Sequence, residues 1–205
     1  MVASGLTAQW GVSVTESPDW RARRWAATHQ RIYDTALQLF REHGYDAVNV
    51  GQIARGAEIS VPTFYAHYPS KEHVVMQLPT AEEMNALVAA LPAELPLRER
   101  VKHAPYLWVA AWSPEFREAT LVRWRVIAGS PSLRTRAAEF ERTTAGLITD
   151  ALRRQEGSTV TPTDAVVVQV FMAVFTAGIL AWADCNGERK LEELVDEAFL
   201  ALQQT

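Results

Sequence analysis

The sequence predicts an all-α protein of about nine helices, on three observations. Apolar residues recur at spacings of three and four along almost every segment, which is the period of an amphipathic helix. No run alternates apolar and polar residues between turn signals, so no β-strand is predicted. Prolines and glycines fall where such helices would begin or end. Helices packed on helices are therefore the expected architecture.

The composition suits a globular protein rather than a disordered or fibrous one. Of the 205 residues, 48% are hydrophobic and 21% are charged, which is enough apolar surface for a core. No repeat of fixed period is present, which excludes solenoids and propellers. The single cysteine, Cys185, argues against a disulfide framework and against a cysteine-based zinc site, and a reducing cytoplasm is the natural location. The first thirty residues hold no uninterrupted apolar run, so no secretion signal is predicted.

The net charge of −4 does not exclude a nucleic-acid partner, because the charge is unevenly distributed. Residues 1–73 carry seven basic and seven acidic side chains, whereas residues 74–205 carry thirteen basic and seventeen acidic ones. Five arginines lie within residues 21–45, against Asp34 and Glu42. Salt screens distant charges, so a locally basic segment can still bind phosphates.

The first half of the chain contains clear helix boundaries. A helix is predicted from Thr28 to His43 and ends at Gly44, a residue suited to the C′ position. Asn49 and Ser60 are suitable N-caps for two short helices that follow. The first 24 residues are expected to form an irregular arm.

Longer helices are predicted further along the chain. Ser70 is expected to cap one helix that runs towards Leu91, before Pro92. Five more are predicted to begin near Leu97, Pro114, Leu133, Pro162 and Leu191. The expected domains are the arm (1–24), a small three-helix domain (25–73) and a larger helical domain (74–205).

The segment 165–183 is long and apolar enough to be a membrane-span candidate. No basic cluster or tyrosine belt marks a cytoplasmic end, however. A seam at spacings of three and four runs through the segment, which is typical of a helix packed on other helices. The seam consists of Val167, Phe171, Val174, Gly178, Trp182 and Cys185. A buried or interface helix is the favoured interpretation and a membrane span is the alternative.

The short predicted helices around residues 49–68 have the spacing of a helix-turn-helix. The turn Ala57–Ile59 is three residues long, which is typical of that motif. A short capped helix held across a second helix can insert its first turn into a DNA major groove. The groups that it would offer are Ser60, Val61, Pro62, Thr63, Tyr65, His67 and Tyr68.

Four runs in this region carry a family resemblance. They are IYDTALQLF (32–40), HGYDAVNV (43–50), QIA (52–54) and ISVPTFYAHYPSKE (59–72). Together they resemble the DNA-binding domain of TetR-family transcriptional regulators. The resemblance implies a core made of Ile32, Ala36, Leu39, Phe40, Val50, Ile53, Ala54, Ile59, Phe64 and Tyr68. It implies DNA contacts by Asn49, Gln52, Val61, Pro62, Thr63, Tyr65, His67 and Lys71, and the start of the third helix adds Ser60.

The chain departs from the family pattern at three positions. Glu58 stands where glycine is common in the turn, so the turn needs either another geometry or a positive φ. Val61 stands where a polar or basic base-reading residue is frequent, and Gly51 where an arginine or lysine often lies. Val61 could instead contact a thymine methyl group. These losses leave fewer polar base contacts.

Two features of the DNA-binding region have open alternatives. His67 either contacts DNA or packs within the domain. The cluster Arg21, Arg23 and Arg24 is either a solvated tail or an arm that reaches a minor groove.

The resemblance further implies a homodimer formed through the last two long helices, near 162–185 and 190–204, and hence a pseudo-palindromic operator. The apolar seam independently favours a partner helix, since Gly178 allows close approach. The middle helices contain large aromatic residues that either form ordinary core or line a cavity for a hydrophobic or aromatic effector. These residues are Trp108, Trp112, Phe116, Trp124, Phe140, Phe171 and Phe175.

The resulting prediction is a ligand-responsive, DNA-binding regulator, a repressor released by its effector. One alternative is a ligand-binding or protein-interaction module with weakened DNA reading, and another is an activator of the same family. An enzyme is not expected, because the sequence contains no catalytic triad grouping, phosphate-binding glycine loop or His-Glu-x-x-His motif. No cofactor and no metal are predicted.

Overall fold

A computed structural model of the chain describes residues 20–156 and 160–203, and these ranges contain α-helices and no β-strand. In chain order the helices are α1 (Trp20–His43), α2 (Val50–Gly56), α3 (Val61–His67), α4 (Glu72–Val75), α5 (Ala81–Ala89), α6 (Leu97–Ala110), α7 (Pro114–Ala128), α8 (Pro131–Glu156), α9 (Pro162–Asp184) and α10 (Leu191–Gln203). The all-α prediction is confirmed. Contacts divide the chain into two compact units, with the boundary between Gln77 and Leu78.

The helix α1 begins earlier than predicted. It starts at Trp20 rather than Thr28, so residues 20–24 are helical and the prediction of an irregular arm is wrong for them. The physical reason is that the face of α1 used by Ile32 continues towards the N-terminus through His29 and Trp25, with no glycine or proline to stop it. Residues 1–19 of the predicted arm lie outside the described residues.

The first unit is built on a small core between α1, α2 and α3. Ile32, Ala36, Ile53 and Phe64 are completely buried there. Phe40, Ala54 and Tyr68 are also buried, as the family resemblance implied. Leu39, Val50 and Ile59 are only half-buried. This core holds α2 against α1 and α3 against α2.

The single helix predicted from Ser70 to Leu91 is two helices, which is why residues 20–156 and 160–203 contain ten helices and not nine. Helix α4 ends at Val75, and α5 begins only at Ala81. Pro79 lacks an amide hydrogen and disfavours a helical conformation of the residue before it. Thr80 then starts a new helix with a capping box, in which its hydroxyl accepts from Glu83 N and the Glu83 carboxylate accepts from Thr80 N. Ser70 does not cap α4, whose N-cap is Lys71.

Helix α9 is the centre of the second unit. It packs against α6, α7, α8 and α10, which explains why it is apolar on nearly all sides. By length and composition alone α9 could also cross a membrane, but 44% of its most apolar stretch is buried within the chain.

The predicted seam of α9 faces this chain and not a second one. Phe171, Val174, Gly178 and Trp182 are buried inside the unit. A Cβ added to Gly178 would lie 2.7 Å from Cγ2 of Val195, so the close approach that glycine permits is to α10 of the same chain. The seam is therefore not an argument for a partner, and that inference from the sequence is wrong.

A different face of α9 is left uncovered. Val166, Gln169, Ala173 and Ala177 are exposed, and their spacings of three and four put them on one side of the helix. Three of these four residues are apolar. We call this face the outer stripe of α9.

Candidate functional site

The first predicted DNA contacts, Asn49 and Gln52, form the N-terminal cap of α2. Gln52 N donates to Asn49 Oδ1 at 3.0 Å, and Asn49 N donates to Gln52 Oε1 at 2.8 Å. Because both side-chain oxygens are used by the main chain, both amide NH₂ groups remain as donors on an exposed surface. The capping box thus stabilises α2 and leaves two donors of the kind that bind phosphates.

The turn between α2 and α3 is a Schellman motif with an unusual residue at its centre. Ile59 N donates to Ala54 O at 2.9 Å, and Glu58 N donates to Arg55 O at 3.1 Å. Glu58 has a φ of 54°, the left-handed conformation that glycine adopts without steric cost. Of the two alternatives open to this turn, the chain therefore uses the positive φ. Arg31 Nε donates to Ala57 O at 2.9 Å and ties the turn to α1.

The start of α3 presents an apolar tip. Ser60 is the N-cap, and its hydroxyl accepts from Thr63 N at 3.2 Å and lies 2.7 Å from Thr63 Oγ1. Val61 and Pro62 occupy the first turn and are exposed, with 41% of Val61 accessible. An exposed β-branched side chain at this position can contact a thymine methyl group but cannot donate a hydrogen bond to a base.

Tyr65 is the most accessible of the large side chains on α3, with 53% exposure. Its ring packs edge-on against Phe64 at 5.5 Å between centroids, which holds it beside the core. Its hydroxyl forms no hydrogen bond within residues 20–156 and 160–203. Tyr65 can therefore donate to a phosphate oxygen.

His67 lies in an aromatic cluster instead of projecting freely. Its ring centroid is 4.9 Å from that of Trp25 and 5.7 Å from that of His29. Burial lowers the pKa of His67, and burial together with the nearby His67 lowers the pKa of His29. Nδ1 of both histidines is buried without a hydrogen-bond partner in the described chain. The geometry thus favours the packing alternative for His67.

Lys71 is engaged with the main chain. Its Nζ donates to Tyr45 O at 2.9 Å and to Val48 O at 2.8 Å, and lies 4.0 Å from the centre of the Tyr45 ring. Burial lowers the pKa of Lys71. Two of its three N–H donors therefore hold the loop between α1 and α2, which leaves at most one for a phosphate.

The aromatic cluster around His67 contains Trp25 and His29, which no sequence motif indicated. Trp25 stacks on His29 at 4.8 Å, His29 stacks on Tyr68 at 4.2 Å, and Tyr68 Oη donates to His29 O at 3.3 Å. The cluster attaches the first turns of α1 to the end of α3. The i, i+4 spacing of Trp25 and His29 was a signal for it, once α1 is extended beyond Thr28.

In the second unit, four of the seven predicted effector residues share one cluster of rings. Trp108 lies 5.1 Å from Trp112 and 5.4 Å from Phe175, and Trp112 lies 5.5 Å from Phe116. Trp182, which the spacing pattern assigns to the seam of α9 and not to the effector residues, lies 6.3 Å from Trp112. Phe171 belongs to a separate pair with Phe199, and Trp124 and Phe140 are half-buried on α7 and α8.

Two polar atoms in this ring cluster lack partners. Nε1 of Trp108 and Nε1 of Trp112 are buried and have no hydrogen-bond acceptor within the described residues. Buried indole N–H groups normally have one. No group of three or more potential metal ligands occurs in the part of the chain that the structure covers.

Comparison with protein families extends these observations to residues 32–78 and 95–205. The model for bacterial regulatory proteins of the tetR family matches residues 32–78, and the model described as the MftR C-terminal domain matches residues 95–205. The chain belongs to the TetR family. TetR-family proteins are transcriptional regulators with a helix-turn-helix, and they are not enzymes.

Curated relatives within the TetR family align mainly over the DNA-binding region. The transcriptional regulator TcmR of Streptomyces glaucescens is 35% identical over 79 residues, which is 38% of this chain and 34% of TcmR. The putative mycofactocin biosynthesis transcriptional regulator MftR of Mycobacterium tuberculosis is 40% identical over 52 residues, or 25% of this chain and 26% of MftR. The matched segments thus span about a third of the length of these relatives or less.

A solved structure extends the TetR-family likeness to the fold of most of the chain. Thermus thermophilus FadR, a TetR-family repressor solved in complex with lauroyl-CoA, matches with a TM-score of 0.50 and 21% identity. The match covers 85% of this chain and 93% of FadR. At this identity it supports the shared fold.

Proposed function

We propose that this TetR-family protein is a repressor that binds a pseudo-palindromic operator as a homodimer and is released by a small hydrophobic or aromatic effector. The observation that carries the proposal is the exposed face of α3, where Val61, Pro62 and Tyr65 project from a capped helix held across α2. A helix of this kind fits the major groove and combines base contact with phosphate contact. Action on DNA in the cytoplasm is part of the same proposal.

The first experiment selects DNA with the purified protein. Sheared genomic fragments that bind are recovered, and the best fragment is titrated with salt against random duplex. We expect a pseudo-palindrome that outcompetes random DNA and loses affinity as salt rises, because phosphate contacts release counterions. Recovery of nothing above background would favour the alternative of a module with weakened DNA reading. Reporter expression with and without the protein separates a repressor from an activator.

Tyr65→Phe tests the proposed phosphate contact of α3. Loss of one hydrogen bond to a charged group, about 1.5 kcal/mol, would weaken operator binding roughly tenfold. The thermal unfolding midpoint should stay unchanged, since the ring remains. Fluorescence anisotropy with labelled operator measures the affinity. Tyr106→Phe in the second unit, which removes a hydrogen bond to Asp196, is the control and should not change DNA affinity. Equal affinities of Tyr65→Phe and the wild type would contradict the assignment.

The proposed dimer uses the outer stripe of α9 together with α10. This stripe is a mostly apolar helix face without a covering element in the described chain, and Leu200 of α10 adds a further exposed apolar side chain. A second copy of the chain would cover both. Two-fold symmetry then implies two half-sites about one helical turn of DNA apart.

The ring cluster around Trp108 and Trp112 supports the proposed effector. Its rings provide an apolar surface, and the two buried indole N–H groups call for hydrogen-bond acceptors. The effector is thus an apolar molecule with at least one acceptor oxygen. It lowers operator affinity only if it binds the DNA-free state more tightly than the DNA-bound state.

Effector binding is measured by tryptophan fluorescence with medium-chain fatty acids, naphthols and lauroyl-CoA, the molecule held by FadR. Trp112→Phe keeps a ring and removes the N–H. We expect a roughly fivefold loss of affinity for any probe that binds this cluster, from about 1 kcal/mol per hydrogen bond. Trp124→Phe, outside the cluster, is the control. Equal losses in both variants would contradict the proposed donor role.

A further inference from the structure

The first turns of α1 form a basic helix that the predicted reading residues do not explain. Residues 20–31 contain Arg21, Arg23, Arg24 and Arg31 and no acidic residue. Arg21, Arg23 and Arg24 are exposed and form no ion pair in the described chain. Such a concentration of exposed positive charge favours an anionic partner.

This basic helix is fixed to the recognition helix α3. Trp25 packs on His67, and His29 stacks on Tyr68 while its carbonyl accepts from the Tyr68 hydroxyl. Rings in contact at both His67 and Tyr68 leave the helix little freedom to move independently of α3. The arginines are therefore carried on a rigid element and not on a loose arm.

Helical geometry separates the three exposed arginines. At about 100° per residue, Arg21 lies roughly 40° from Trp25, Arg24 roughly 100° and Arg23 roughly 160°. Arg24 also follows the same side of α1 as Arg31, which bonds to Ala57 O in the turn before α3. Arg21 and Arg24 thus lie on the side of α1 between Trp25 and Arg31, which contacts α3 and the turn before it, while Arg23 points away from that side.

The position beside α3 identifies the anion. A helix about 10–12 Å in diameter fills a major groove about 12 Å wide, so long side chains that extend beside the end of a recognition helix can reach the rim of the groove, where the phosphates run. We propose that Arg21 and Arg24 bind operator phosphates at this rim and that Arg23 does not. This inference rests on the proposed DNA-binding function.

The test compares Arg21→Gln and Arg24→Gln with Arg23→Gln in the full chain. Affinities for the recovered operator and for random duplex are measured by anisotropy over a range of salt. Each of the first two variants should reduce the slope of log affinity against log salt by about 0.9, and weaken binding to both DNAs roughly fivefold to tenfold at 0.1 M salt. Arg23→Gln should keep the wild-type slope. Arg21→Lys should restore most of it, because the charge is retained.

The outcomes separate this inference from the proposed function. If the wild type binds the operator and Arg21→Gln and Arg24→Gln keep the wild-type salt slope, the inference is overturned and the proposed function stands. The same holds if Arg23→Gln reduces the salt slope as much as the other two variants do. Tight binding of the wild type to anionic lipid vesicles, abolished by the same two substitutions that leave DNA binding intact, would assign the helix to a membrane surface instead. Failure of the wild type to bind any DNA overturns both proposals.

Discussion

At the scale of single residues, Glu58 is the main departure from favourable backbone geometry. Its left-handed φ is needed for the two hydrogen bonds that close the turn into α3. A side chain in this conformation costs about 1–2 kcal/mol, which the core around Phe64 and Ile53 must offset. The turn geometry is thus imposed by the fold on a residue that does not favour it.

Glu58→Gly should raise the free energy of unfolding of the first unit by up to about 1 kcal/mol. Relief of the strain exceeds the added entropy of the unfolded chain, which is about 0.4–1 kcal/mol. Urea unfolding measures the change. Asn186→Gly is the comparison, since Asn186 has a φ of 55° but asparagine tolerates it, so a smaller gain is expected there. A lower stability of Glu58→Gly would contradict the strain argument.

We expect His29 and His67 to make the first unit sensitive to acid. Burial holds the pKa of His29 and His67 below the ordinary value of 6.5, so the folded state favours their neutral forms. The contribution of these two histidines to stability is therefore fully present above pH 6.5 and is lost as the pH falls from 6.5 through their lowered folded-state pKa values. Thermal unfolding at pH 7.5 and pH 5 should give a lower midpoint at pH 5. His67→Phe keeps the ring and should reduce this difference, whereas Trp124→Phe, a ring substitution in the second unit that removes no titratable group, should not.

At the scale of elements, the junction of α9 and α10 is tightly packed. A Cβ at Gly178 would lie 2.7 Å from Val195 Cγ2 and 3.2 Å from Val195 Cα, and the main chain cannot move aside cheaply. This contact explains a glycine in the middle of a long helix, where alanine would otherwise be more stable.

Gly178→Ala should lower the free energy of unfolding of the second unit by about 1–3 kcal/mol through overpacking. Gly146→Ala in α8 is the matched control, because an added Cβ there meets nothing within 4 Å. That control should raise stability by about 0.5–1 kcal/mol. Chemical denaturation followed by circular dichroism measures both. Two stabilising results would contradict the packing account.

Some helix boundaries could be predicted from the sequence and others could not. Local signals were sufficient for the caps at Asn49 and Ser60 and for Gly44 as a helix stop, since each depends on its immediate neighbours. They failed where two local signals compete, as at Pro79 and Thr80, which divide a helix that has continuous apolar spacing. Periodicity also identified the seam of α9, but it could not show what covers that seam. An apolar helix face has the same spacing whether it packs on α10 of its own chain or on a helix of a second chain.

The candidate site was predictable to a similar extent. The motif located α2 and α3, and the structure leaves Val61, Pro62 and Tyr65 exposed there. The motif did not reveal that the His67 side chain packs on α1, or that the Lys71 side chain bonds to the loop between α1 and α2. Those contacts depend on side-chain direction and on Trp25 and Tyr45, which are distant in sequence.

At the scale of the whole molecule, the outer stripe of α9 determines the expected assembly. Ala173→Arg would add a charge to the centre of the proposed interface, where desolvation is unfavourable. We expect the variant to sediment as a monomer and to bind operator at least tenfold more weakly, since each half-site would be bound separately. Analytical ultracentrifugation and anisotropy measure the two effects. Ala138→Arg, at an exposed alanine of α8, should leave both unchanged, and a dimeric Ala173→Arg would contradict this interface.

The contacts of Lys71 change what a motif match in this region means. Its ammonium group binds two main-chain carbonyls, those of Tyr45 and Val48. A relative with other side chains at positions 45 and 48 could therefore make the same two bonds with a lysine at position 71. Lys71 thus has a structural role in the first unit that does not depend on DNA. Similarity that extends through position 71 therefore identifies descent of the scaffold, while a shared operator has to be inferred from the few side chains exposed at the start of α3.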